Sequence, residues 1–329
     1  MAAVAAADVR ELKPAQGQPP SSSRQAAQPS STAKQHSKAA TKQPPSSRPH
    51  HLSHPSFLPP SCHQDERVLS ILNNEYEDAT IVFLQESATA FVGKAEADDA
   101  LGSRYLVARS SNLDAKRDQN SVLLLRRTFF REESIVDHTA SVMSAFDKSV
   151  PVASGDLLVM AAEDVLGRKY LLASFHGDTN GLATLPVLRA VHKLAATFPE
   201  HSLLFGLDAN THTIGTSSKQ GVNEFAQAFR ELSYSSCWGD APNPKSPTTF
   251  NARTYLQPQL QKAAKSDEKE SKGDKNPKDF ILFPKSGFDV MKSDKDNTGE
   301  RKYVEEMVFP TLKFPSDHGI VSTTLKIRD

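Results

Sequence analysis

The stretch Leu203–Thr213, LLFGLDANTHT, sets an apolar run of strand length directly before Asp208, Ala209 and Asn210. A carboxylate or amide buried without partners is costly, about 2 to 7 kcal/mol even for a neutral polar group. The stretch therefore reads as a buried strand ending at an exposed rim, where Asp208 and Asn210 can bind a cation, a water or a phosphate.

The same texture continues on both sides of it. ATIVFLQE, RYLVARS, NSVLLLRR, DLLVMAAED and KYLLASFH come before it, and DFILFP, KYVEEMVF and GIVSTTLKI after it, each of strand length and bounded by turn formers or polar residues. Helical spacing joins Val68, Ile71 and Leu72, then Leu185, Leu188, Val191, Leu194 and Phe198, then Phe225, Phe229 and Leu232. Pro186 falls early in its helix, where a missing N–H does little harm. Many strands with helices on their outer faces predict an α/β fold, two packed sheets sandwiched between helices, in one domain spanning 63–329. QKAAKSDEKESKGDKNPK and KSDKDNTGERK are charged and lack an apolar period, which predicts solvated loops.

Residues 1–62 are rich in Ala, Ser, Gln and Pro, hold ten of the chain's 21 prolines and have few large apolar side chains, so a disordered tail is expected there. Its Ser-rich, acid-poor composition also fits an organelle transit peptide, but no amphipathic Arg-bearing face is present. Asp8 interrupts the alanine-rich start where a secretory signal needs a large apolar residue. No apolar run reaches the roughly 18 to 20 residues that cross a bilayer. Two cysteines, Cys62 and Cys237, imply no disulfide framework, and a cytoplasmic or nuclear monomer is the expectation. Lys+Arg and Asp+Glu both number 39, so no whole-chain field draws the protein to nucleic acid or to an anionic membrane.

The polar residues fall at strand boundaries. Glu86 ends IVFLQE, His176 ends YLLASFH, Asp279 opens DFILF, and Asp317 and His318 precede the last strand in PSDHGIVS. Singly, each has an ordinary explanation as a surface acid, a hydrogen-bonded strand end or a turn former. Gathered on one rim, they are the donor set of a hard-cation phosphoester site. A magnesium ion, or a manganese ion, prefers oxygen ligands and needs one or two carboxylates, such as Glu86 and Asp317. Asp208 can then orient or deprotonate water, Asn210 and His176 can donate to nonbridging oxygens, and Asp279 can hold His318 oriented and cationic. A calcium loop starting at Asp208 is excluded, because its sixth and twelfth positions are Thr213 and Lys219 where Gly and Glu are needed. A serine hydrolase finds no G-x-S-x-G turn.

In order, LQE, SFH, GLDAN, KDFILF and SDHG resemble the signature of the endonuclease/exonuclease/phosphatase superfamily, the DNase I-like metal-dependent phosphodiesterases, over about Asp65 to Leu325. The resemblance implies a four-layer α/β sandwich of two mixed β-sheets flanked by helices, with Glu86 and Asp317 as metal ligands, Asp208, Asn210 and His318 as catalytic residues, Asp279 as partner of His318, and His176 as a phosphate contact. Asn120, at the head of NSVLLLRR, and Phe250, Asn251, Arg253 and Tyr255 in PTTFNARTYLQPQ are candidate substrate contacts, with core packing an equal alternative for Phe250 and Tyr255. The substrate expected is a phosphoester, either nucleic acid or a small or lipid phosphodiester.

The family begins with a strand whose Asn supports the metal, and no apolar strand or suitable Asn precedes Glu86; Asn73 and Asn74 sit at a helix end. Either the N-terminal tail supplies a replacement or the chain is a shortened or incorrect gene product. The composition of the tail favours the second, and with it the alternative of a catalytically impaired relative that binds phosphate or a partner.

Overall fold

Two six-stranded mixed sheets pack face to face in a computed structural model that describes residues 4–10, 60–111, 113, 117–147, 149–250 and 274–328, with the backbone alone at 60–63. In chain order the elements are β1 (Val4–Arg10), α1 (Pro60–Asn74), β2 (Ile81–Ser87), α2 (Thr89–Ala97), α3 (Asp99–Arg104), β3 (Tyr105–Ala108), β4 (Asn120–Arg126), β5 (Val136–Asp137), α4 (Thr139–Met143), β6 (Leu157–Glu163), β7 (Lys169–His176), α5 (Thr184–Ala196), β8 (His201–Asp208), α6 (Val222–Glu231), β9 (Tyr234–Ser236), β10 (Asp279–Pro284), β11 (Phe288–Asp296) and β12 (Ile320–Ile327). The first sheet runs β11-β12-β1-β2-β4-β3 and the second β5-β6-β7-β8-β10-β9. Their facing sides interlock, Ala5, Ile81, Phe83 and Leu123 meeting Met160, Leu172, Leu204 and Ile281. Gly206 lies inside β8 because the sheets nearly touch there: an added Cβ would run into the ring of Phe83.

The outer faces are covered by the helices that the apolar spacing predicts. Val187, Leu188 and Val191 of α5 and Phe225 and Phe229 of α6 bury against Leu203, Phe205 and Phe280. Val68 and Leu72 of α1 and Phe91 and Val92 of α2 cover Val82, Leu84 and Val122. The result is the four-layer α/β sandwich. Among the described residues no helix is long and apolar enough to cross a membrane.

Three sequence expectations are corrected. The first concerns the tail: Val4–Arg10 is not disordered but forms β1, an interior strand paired on one side with β12 in parallel and on the other with β2 antiparallel. The N-terminal segment thus supplies the replacement strand, although it carries no Asn. Alanine is a poor strand former by packing, yet Ala5, Ala6 and Ala7 are buried, and the ladders on both sides hold them. Residues 60–62, also in the predicted tail, open α1, and residues 1–3 and 11–59 lie outside the described residues.

The second concerns KSDKDNTGERK, whose first half belongs to β11. That strand is a sheet edge with charged side chains, which leaves no apolar period to read. The third concerns KYVEEMVF, which is a loop. The Asn297 side chain takes both backbone groups of Val304, donating to its O at 2.9 Å and accepting from its N at 2.8 Å, and Val304 and Val308 face solvent.

Candidate active site

Register brings the polar strand ends together. In the second sheet His176 pairs with Asp208 across β7 and β8, and Asp208 pairs with Asp279 across β8 and β10. Three neighbouring strands therefore deliver three functional side chains in one row. The first sheet contributes Glu86 from the end of β2, together with Asp317 and His318 from the approach to β12. One cavity of about 880 Å³ is lined by Glu86, His176, Asp208, Asn210, Asp317 and His318. Asp279 stands behind it: His318 Nδ1 donates to the Asp279 carboxylate, 3.0 Å from each oxygen.

Local backbone geometry sets two of these residues apart. Glu86 and Asn210 both adopt left-handed φ, 50° and 47°. The amide of Asn tolerates that region, whereas Glu occupies it at a cost of about 1 to 3 kcal/mol that the surroundings must hold in place. The β2–β4 register shifts between Leu84 and Ser87, so the chain kinks at Glu86. Asn120 fixes the kink from below, donating from Nδ2 to the Ser87 carbonyl at 2.9 Å. Asn120 is buried and is not among the described residues that line the cavity; its Nδ2 supports the Glu86 turn, while its Oδ1 is buried without a hydrogen-bond partner. Phe250 takes the core-packing alternative: it packs against the outer core of the first sheet, with Lys275 Nζ 4.5 Å from its ring centroid, and is not among the described residues that line the cavity. Asn251, Arg253 and Tyr255 lie outside the described residues.

The charges form a relay. His176 Nε2 is 3.0 Å from Glu86 Oε1 and 3.8 Å from Asp208 Oδ2, while His318 Nε2 is 3.6 Å from that same Asp208 oxygen. Burial works against the charge on Glu86, but the hydrogen bond to His176 together with the positive charges of His176 and His318 helps hold the carboxyl down at about 2. Burial also disfavours the charge on His176, but Glu86 and Asp208 outweigh it and raise its proton affinity. For His318, the desolvation penalty is outweighed by Asp279 and Asp208, and its pKa stands at about 10, so the ring is an imidazolium at neutral pH. Burial raises Asp208 despite the opposing charge of His318, and burial raises Asp317 with the charge of Glu86 adding to it.

Asp208 Oδ1 accepts from the Asn210 backbone N at 2.8 Å, but Oδ2 is buried with no hydrogen-bond partner. A buried acceptor left unmade is expensive, so this oxygen is built to meet something in the cavity. Glu86 and Asp317 are hard oxygen donors that repel one another across the same cavity, an arrangement a divalent cation would relieve, and they fit the expected metal. Asp208, Asp279 and His318 also bring ligand atoms within 4.8 Å of one another, but Asp279 already accepts from His318 Nδ1, and a cationic imidazole has no lone pair to offer a metal.

Three features escaped the sequence reading. Gln85 crosses the sheet interface, donating from Nε2 to Ser174 Oγ at 3.0 Å, and so ties the Glu86 strand to the His176 strand. Arg117, paired with Asp156, lines the far side of the cavity, and Lys278 lines it beside Asp208. The signal for Gln85 and Lys278 lay in LQE and KDFILF themselves, where each precedes a functional acid.

No family model matches the chain, and no curated protein matches it. Among solved structures, an endonuclease/exonuclease/phosphatase family protein from Bacteroides thetaiotaomicron is similar at a TM-score of 0.51 and 16% identity, over 81% of this chain and 89% of that one. D. rerio TDP2 complexed with single strand DNA product is similar at 0.48 and 14%, over 78% and 89%. The human Nocturnin catalytic domain with bound sulfate anion is similar at 0.46 and 12%, over 80% and 86%. At such identities the likeness to the Bacteroides protein shows the fold, and the chemistry rests on the site.

Proposed function

We propose, from the premise that this chain has the DNase I-like fold of the endonuclease/exonuclease/phosphatase superfamily, that it is a metal-dependent phosphoester hydrolase. The observation that carries the reading is Asp208 Oδ2, buried, unpartnered and held within 4 Å of two imidazoles at the cavity wall. Glu86 and Asp317 would hold a magnesium or manganese ion, which when bound polarises the phosphoryl oxygens and neutralises developing charge. Asp208 accepts the proton of the attacking water, and the burial that raises its proton affinity makes it a better base. His318, kept cationic by Asp279, offers Nε2–H to the charge that develops on the phosphoryl group. His176 and Asn210 orient a nonbridging oxygen, Asn210 being itself fixed by donating to the Gly177 carbonyl at 3.0 Å.

Among the described cavity residues, Glu86, Asp118, Asp156, Asp178, Asp208, Asp274 and Asp317 outnumber Arg117, Lys278 and the two imidazoles. That balance makes a small phosphodiester the first substrate to try, ahead of a long polyanion. Hydrolysis of bis-p-nitrophenyl phosphate should require magnesium or manganese and stop in EDTA; turnover that persists in EDTA contradicts the reading.

The lack of an Asn on β1 favours a second reading, a catalytically impaired relative that binds a phosphorylated partner. Phosphate binding with no turnover of any ester in a panel run with both metals would select it.

A further inference from the structure

Lys278 is placed by the strand that presents Asp279. Its carbonyl accepts from the Ala209 backbone N at 2.8 Å, which fixes it beside the Asp208–Asn210 turn. Thr248 Oγ1 accepts from the backbone N of Lys278 at 2.9 Å and of Asp279 at 3.2 Å, pinning the start of β10. The Lys278 side chain is 6% exposed, yet it lines the cavity with Asp208, Asp317 and His318. Its Nζ lies 2.7 Å from Asp274 Oδ2, and Asp274 is its partner among the described residues.

An ammonium has three N–H donors, and one carboxylate oxygen occupies one of them. Burying such a group with donors to spare is costly, so the remaining hydrogens call for an anion or water on the cavity side. Asp274 is a shared counterion, its Oδ1 accepting from Asn276 Nδ2 and its side chain 36% exposed and so partly screened by solvent. Arg117, the other strong cation in the wall, is committed elsewhere: its Nε donates to the Gln119 carbonyl at 2.7 Å and its Nη2 pairs with Asp156. Lys278 is thus the cation positioned to exchange a carboxylate for a ligand next to Asp208.

We propose that Lys278 is a substrate-binding residue whose ammonium donates to a nonbridging oxygen of the phosphoryl group, with Asp274 as its counterion in the free protein. This rests on the phosphoester reading of the same cavity. The role needs no proton transfer, since the lysine remains an ammonium throughout, and it adds to the attraction that His318 offers in an acid-rich wall.

The test is calorimetric titration of the whole chain with inorganic phosphate in magnesium chloride, beside kcat and KM for bis-p-nitrophenyl phosphate. Lys278→Met should weaken phosphate binding roughly 10- to 100-fold, the worth of a charge-assisted hydrogen bond. Lys278→Arg should restore most of it. Asp274→Asn should bind phosphate more tightly than wild type, because the competing acceptor has lost its charge. If Lys278→Met fails to fold, the Lys278→Met/Asp274→Asn pair, with both charges removed, takes its place. Unchanged phosphate affinity in the Lys278 variant, no phosphate binding by wild type, or no gain in Asp274→Asn would each overturn the proposal. Phosphate binding through Lys278 in a protein that hydrolyses no ester would instead defeat the hydrolase reading and leave this one standing.

Discussion

β8 and β1 occupy comparable places, each an interior strand with a neighbour on both sides, and they are built in opposite ways. β8 reads LLFGLD at its core: large side chains bury on both faces and its end projects Asp208 into the cavity. β1 reads VAAADVR, with alanines on both faces. β8 lies parallel to β7, which α5 joins to it, whereas β1 lies parallel to β12 and antiparallel to β2, far from both in sequence. A strand that carries its own hydrophobic driving force is legible from its residues. A strand that fills a slot is held by its neighbours' unpaired backbone groups, and its residues need only be small enough to fit.

The sharpest way to break this comparison is to remove the weak-looking strand. Deleting residues 1–11 strips the ladder partners from β2 and β12, and buried backbone groups left unmade cost about 1 to 3 kcal/mol each. Several such losses match a whole domain's stability of about 5 to 15 kcal/mol. The shortened chain should lose its cooperative thermal transition; a Tm within a few degrees of the full chain would show that β1 is dispensable.

The end of β8 is expected to matter for chemistry and not for stability. Asp208→Ala should lower turnover of a phosphodiester by about 10²- to 10⁴-fold, the usual contribution of a positioned base. It should leave Tm near that of wild type, because removal of the unpartnered Oδ2 is offset by loss of the Oδ1 bond to the Asn210 backbone N and of one of the two carboxylates that face His318. A large fall in Tm with turnover preserved would reverse the roles assigned to the two strands.

Within β8, Gly206→Ala tests how closely the sheets approach. The new Cβ meets the Phe83 ring, and overpacking of this kind costs about 1 to 3 kcal/mol. Differential scanning calorimetry should show Tm lowered by several degrees, and no change would mean the sheets can separate freely there.

The smallest effect is expected at the β6–β7 turn, which builds itself locally. Asp164 accepts from the backbone N of Leu166 and Arg168 and from Arg168 Nε, each at 2.8 to 3.0 Å. Burial alone would raise its pKa, but these bonds outweigh it and hold the carboxyl below its ordinary value. A folded-state pKa below the unfolded one stabilises the protein above the unfolded value, near 3.9, and that contribution fades as pH falls through the depressed folded value. Asp164→Asn should therefore lower Tm modestly at pH 7, with the gap to wild type narrowing in acid. A gap independent of pH would mean the carboxylate's charge does not matter.

The same contrast explains what could be read in advance. Glu86, His176, Asp208, Asn210, Asp279, Asp317 and His318 stood out because each polar residue closes an apolar run, and the register brings those ends to one rim. β1 and β11 were illegible for opposite reasons, the one too small in its side chains and the other charged along an open edge. Asn120 reads from the sequence as a polar strand head, and only the kink at Glu86 shows that its Nδ2 also holds the Ser87 carbonyl. Lys278 was hidden by its own type, since a lysine beside a strand start ordinarily points into solvent.

The central claim is that strand ends from both sheets make one cation and phosphate site. Anomalous diffraction from crystals grown with manganese tests it most directly: the account predicts a peak in the cavity beside Glu86 and Asp317, lost in a Glu86→Gln/Asp317→Asn variant that still folds. No peak in that cavity, or one that persists in the variant, would contradict it.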